Sequence, residues 1–168
     1  MLWPRWIWLR ALGLIFLSAF YSLAFQIAGL NGPNGILPAA EHLPEVREAV
    51  GPLKALWYAP TLFWLNPGDA ALMTVVIVGA LASILLTLNL APRACIAIAL
   101  VCFLSFVGAA QDFASYQSDG MLLEAAFISL FLAPKGLRPR LGDTQPPRFA
   151  LFLLTWEWFR IYFESGVV

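Results

Sequence analysis

Charge is what this sequence has least of. Only 12% of its 168 residues are Asp, Glu, Lys or Arg, about half the share usual in soluble domains. Ten basic and ten acidic residues cancel, so no net field draws the chain to nucleic acid or an acidic partner. Histidine is nearly absent: His42 stands alone, which excludes a histidine-rich metal site. The two cysteines, Cys95 and Cys102, form no C-x-x-C or zinc spacing. Seven residues apart on a helix they lie roughly 10 Å apart, too far for a disulfide, and they read as small buried hydrophobes. No strand, glycine loop and helix follow one another as a phosphate cradle requires. Ser165 has no histidine near it to make a nucleophile. Nothing in the chain calls for a cofactor.

What is present is oil. The sequence is 61% hydrophobic with a mean hydropathy of +0.78, and the apolar residues come in runs long enough to cross a bilayer, which takes about 20 residues. The fold class is therefore an all-α, multi-pass transmembrane helical bundle of about five membrane helices in a single domain over 1–168. The expected helices cover 5–30, 69–90, 94–110, 120–133 and 149–168. The first is flanked by Trp3, Trp6 and Trp8, where an aromatic belt belongs, and is read as retained rather than as a signal peptide. The fourth is short for a straight crossing. Residues 31–68, rich in Gly, Pro and Asn, read as a turn-rich loop with a short surface helix within 45–58 and an aromatic interfacial stretch at 60–65.

Charge asymmetry sets the orientation. With the N-terminus cytoplasmic, that side holds Arg5, Arg10, Arg93, Lys135, Arg138, Arg140 and Arg148, and the other holds only Arg47 and Lys54. This positive-inside bias places 31–68, 111–119 and the C-terminal end on the non-cytoplasmic side.

Against that background the polar residues stand out. Glu124 lies within the fourth helix, where an ionisable group faces the bundle interior or a wet cavity. It reads either as a proton-handling or ligand-binding carboxylate or as the partner of a donor on another helix. Asp119 is placed to cap that helix. Glu157, Arg160 and Glu164 are spaced i, i+3 and i+4, so all three can pair along one helix face, and Arg160 is also a candidate partner for Glu124 or Asp119. Gln26, Gln111 and Gln117 complete the polar set, Gln26 beside a tight turn at the membrane surface.

Four blocks in this order resemble the lipase maturation factor family. They are Q-I-A-G-L-N-G-P-N-G-I-L-P at 26–38, P-T-L-F-W-L at 60–65, the polar block at 111–127, and F-R-I-Y-F-E-S-G-V-V at 159–168. The third is similar to a family motif F-x-x-[FY]-Q-x-D-x-L-L-L-E-x-G-F, matched at Phe113, Tyr116, Gln117, Asp119, Leu122, Leu123, Glu124 and Phe127. Ala126 replaces the usual glycine and Met121 the usual leucine. Members of the family are longer, so the resemblance implies that this chain is the N-terminal membrane portion of such a protein, with a missing or separately encoded C-terminal portion. A more distant similarity is to the membrane domain of vitamin K-dependent carboxylase-like proteins.

The resemblance implies an integral membrane protein that assists maturation of secreted lipases or other exported clients, without an enzymatic activity of its own. Membrane lipid and an exported client are the expected partners, and nucleic acid is not one. The location is the endoplasmic reticulum membrane in a eukaryote and the cytoplasmic membrane in a bacterium. The alternative is a membrane enzyme or lipid- or quinone-binding module of the carboxylase-like type, with Glu124 as a buried acid–base group. A transporter ranks third, because no inverted repeat is visible.

Overall fold

The computed structural model describes residues 2–109, 117–141 and 145–166, and among these it is helical without strands. The helices are α1 (Leu2–Asn31), α2 (Ala39–Val50), α3 (Pro52–Tyr58), α4 (Asp69–Thr87), α5 (Pro92–Ala109), α6 (Gln117–Leu132) and α7 (Arg148–Gly166), with a single 3-10 turn at Leu62–Trp64. Among the described residues three helices, α1, α4 and α5, are long and apolar enough to cross a membrane. The five helices expected from the sequence correspond to α1, α4, α5, α6 and α7, of which α6 and α7 fall outside that length and hydropathy range. The described part of α6, 16 residues, rises about 24 Å, short of the ~30 Å hydrocarbon core. In α7, Glu157, Arg160 and Glu164 interrupt the apolar run.

The core is built where α1 crosses α4 and α5. Phe16 and Phe20 of α1 and Phe103 of α5 meet as a triad with centroids 5.8–6.2 Å apart, within the range where edge-to-face pairing is favourable. α4 meets Phe20 at Gly79, where a Cβ would collide with the ring. A small residue lets two membrane helices approach closely, and apolar packing rather than water exclusion holds them there. Hydroxyls on the same helix are satisfied locally: Ser83 donates to the Gly79 carbonyl at 2.7 Å and Thr87 to that of Ser83 at 2.9 Å. Cys95, Ala99 and Cys102 line the buried stripe of α5, with both thiols free.

One end of the bundle gathers the basic segments. Asn89 takes φ 62°, a left-handed value that Asn tolerates, and ends α4. Ala91 donates its backbone N–H to the Leu137 carbonyl at 2.8 Å. The Asn89 amide donates to the Pro139 carbonyl at 2.8 Å and Arg93 Nε to that of Ala133 at 2.7 Å. Arg5, Arg10 and Arg140 border one small crevice with Asn89 and Pro134. The α4–α5 turn, the start of α1 and the linker after α6 therefore share one face, as the charge asymmetry requires.

The opposite end is more ordered than its composition suggests. Instead of one short helix within 45–58, two helices form, starting at Ala39 and parted at Gly51. Gly51 has φ +83°, which costs glycine little, and Pro52 supplies a preset φ at the first position of α3. The segment 60–65, expected at the interface, is anchored to α5. Thr61 donates to the Ser105 carbonyl at 2.9 Å, and the Leu62 N–H donates to Ser105 Oγ at 3.2 Å. Phe63 is fully buried against Phe106, with centroids 5.1 Å apart.

Candidate functional site

The polar residues converge between α6 and α7. Gln117 and Glu124 lie seven residues apart on α6 and so on one face. Glu157, Arg160 and Glu164 make the matching stripe on α7. Arg160 Nη1 lies 3.1 Å from Glu124 Oε2, and Arg160 Nε lies 3.6 Å from Glu164 Oε1. Gln117 Nε2 donates to Glu164 Oε2 at 3.3 Å. The three charged side chains remain 42–49% exposed, on a face that would be costly against hydrocarbon.

Glu157 departs from the expected ladder. Arg160 turns to Glu124 and Glu164, and Glu157 is left 6% exposed, its Oε2 without a hydrogen-bond partner among the described residues. Side-chain direction explains the difference, since a guanidinium satisfied by two carboxylates at the outer rim has turned away from the third.

Glu157 stands between two spaces. On one side is the groove that holds the ion pairs, with Gln117, Glu124 and Arg160 in its wall. On the other is a cavity of about 510 Å³ between α1, α6 and α7. Its walls are almost wholly apolar, and Gln117 and Ser118 reach it at the start of α6. Trp8 Nε1 donates to Ser129 Oγ at 2.8 Å and pins α1 to α6 antiparallel. From Trp8 to Asn31, α1 rises about 35 Å, whereas α6 rises about 18 Å from Ser129 back to Gln117. The polar cleft therefore lies near the middle of the bundle, well short of the end of α1.

The other expected residues are dispersed. Asp119 lies in the first turn of α6, two residues after Gln117, the first described residue of that helix. Gln26 does not join the cleft: its amide donates to Ser22 Oγ at 3.0 Å on exposed α1. Gln111, Phe113 and Tyr116 lie outside the described residues. No group of three or more His, Cys, Asp or Glu among the described residues is placed to hold a metal.

Asn31 was missed as a functional residue. It is 1% exposed, and its Nδ2 donates to the Leu37 carbonyl at 3.2 Å and to the Ala109 carbonyl at 3.1 Å. It thus locks the end of α1 to the following turn and to the end of α5. Its place in the N-G-P-N-G block was the available signal, an amide closing a long apolar run.

Comparison with known proteins accounts for these shared blocks. The family description "Lipase maturation factor transmembrane domain" matches residues 3–168. Lipase maturation factor 2 of Gallus gallus is 35% identical over 98% of this chain and 24% of its own length. The Homo sapiens protein of that name is 35% identical over 98% of the chain and 25% of its length. Lipase maturation factor 1 of Bos taurus is 30% identical, again over 98% of the chain and 31% of its length. The chain thus spans about a quarter to a third of the length of these curated relatives. No solved structure matches. With its membrane helices and nearly full coverage by the family description, this integral membrane chain belongs to the lipase maturation factor family.

Proposed function

We propose that the chain forms the membrane portion of a factor that brings exported lipases to their active state. The observation that carries this reading is the match of residues 3–168 to the family's transmembrane domain, together with relatives named for lipase maturation. The client-facing surface is the non-cytoplasmic end, where α2 and the Leu62–Trp64 turn pack over α5 and α3 packs against α2. Exposed Leu53, Trp57, Tyr58 and Leu65 on that end offer apolar contact to a chain that has not finished folding. The membrane is that of the secretory entry point: endoplasmic reticulum in a eukaryote, cytoplasmic membrane in a bacterium.

In this reading the cleft residues are structural. Gln117, Glu124, Arg160 and Glu164 fasten α7 to α6, and Glu124 is an ion-pair partner rather than an acid–base group. Its half-exposed setting and its 3.1 Å contact with Arg160 support that assignment.

The test is a host lacking the gene and secreting a reporter lipase, complemented with the chain in its full natural reading frame. The expected result is lower specific activity of the secreted lipase without the gene and recovery on complementation, while an unrelated secreted phosphatase is unaffected. Equal lipase activity per mass of enzyme in both hosts overturns the proposal.

A further inference from the structure

We infer that the cavity between α1, α6 and α7 is a binding site for a single-chain lipid with a neutral hydroxyl headgroup, of the monoacylglycerol type. Three observations carry this, and none depends on the maturation role. The cavity, about 510 Å³, falls within the ~300–1,000 Å³ typical of small-molecule sites. Its walls are apolar, formed by residues such as Ala11, Met121 and Ile161. Ile15 and Trp158 also line it and are each more than half exposed, so its mouth opens sideways between α1 and α7, where an acyl chain enters from the bilayer. And one carboxyl, Glu157, lines it 94% buried, with Oε2 unpartnered among the described residues.

Charge selects the headgroup. A buried carboxyl oxygen without a partner is costly, and a hydroxyl donor in the cavity relieves it once the Glu157 side chain, which lines that space, rotates to meet it. A fatty acid brings a second carboxylate against the first. An ammonium head must give up its water beside a single carboxyl in an otherwise apolar cavity, a desolvation cost that a hydroxyl largely escapes. A glycerol head avoids both conflicts, and Gln117 and Ser118 at the start of α6 can take its second hydroxyl. The ligand thus lies with its head at Glu157 and its chain along α1.

A diazirine-tagged monoacylglycerol tests this on the full chain in lipid nanodiscs, with labelled peptides read by mass spectrometry. Labelling is expected at the cavity-facing residues of α1, α6 and α7, competed by unlabelled monoolein but not by oleic acid or hexadecane. Ala11→Phe, which projects a ring from an exposed position into the space, should abolish it. Glu157→Leu removes the headgroup's hydrogen-bond acceptor and should weaken labelling severalfold, up to about tenfold, while melting at or above the wild-type temperature, because an unpartnered buried carboxyl is replaced by an apolar group of similar size. The inference is overturned by label spread evenly over lipid-facing helices, by equal competition from hexadecane, or by wild-type labelling of Ala11→Phe. A sharp drop in the melting temperature of Glu157→Leu also counts against it, since the carboxyl then has a structural partner.

Discussion

Replacing Asn31 by Asp and by Ala should separate two roles that one side chain performs at the end of α1. Both hydrogens of the Asn31 amide are committed, to the carbonyls of Leu37 and Ala109. Ala removes two hydrogen bonds in a site that is 1% exposed; at about 1 kcal/mol each, the loss is about 2 kcal/mol. Asp keeps the shape but turns an acceptor toward two carbonyl oxygens. Protonated, it restores one of the two bonds, and holding it so at pH 7 costs about 4 kcal/mol, three pH units above an ordinary aspartate at ~1.4 kcal/mol each. With the second bond lost, the total is about 5 kcal/mol, a large part of a typical domain's stability. At pH 7 the order of stability is therefore wild type, then Asn31→Ala, then Asn31→Asp. Near pH 4 the protonation cost shrinks to about 0.5 kcal/mol, so Asn31→Asp recovers and passes Asn31→Ala, whose deficit contains no titrating group. Denaturant titration of the detergent-solubilised protein at both pH values reads the order, and proteinase K cutting within residues 32–38 reports the clamp directly. Asn31→Asp as stable as Asn31→Ala at pH 7 would refute the orientation of the amide and, with it, the lock between α1 and α5.

Gly79→Ala drives a Cβ into the buried Phe20 ring; overpacking of ~1–3 kcal/mol outweighs the ~1 kcal/mol helix-propensity gain. Adding Phe20→Leu should return part of the loss in a double-mutant cycle, and strict additivity in melting experiments would speak against the contact. Trp8→Phe and Ser129→Ala each cost about 1 kcal/mol through one shared hydrogen bond, so the double variant should cost little more than either alone in the same melts. Arg160→Gln leaves Glu124 and Glu164 without their cation and should lower the melting temperature more than Arg160→Gln combined with Glu124→Gln. The reverse order would mean that the two do not pair.

The cleft shows how far patterns along a chain reach. Spacing alone put Glu157, Arg160 and Glu164 on one face and left Arg160 as a candidate partner for Glu124 or Asp119; the structure pairs it with Glu124 at 3.1 Å. Spacing could not say which of two carboxylates within reach on α7 the guanidinium would take, because that depends on where α6 presents Glu124. Glu164 was taken and Glu157 was left buried. Likewise Phe63 and Asn31 look like interfacial and turn residues in sequence. They are core residues because α5 happens to present Ser105, Phe106 and Ala109 beside them.

By itself the sequence determined the class and the partition of charge. Apolar runs of this length have one stable solution in a bilayer, helices with their backbone hydrogen bonds satisfied internally, and seven of the ten basic residues sit in the segments that the fold gathers at one end. The family, too, was legible, because its blocks are short and local in the chain. Tertiary structure alone decided the cavity between α1, α6 and α7, the isolation of Glu157 on its wall and the clamp at Asn31. Each depends on residues tens of positions apart meeting in a particular register, and helical periodicity specifies which face a side chain occupies but not which neighbour it meets there.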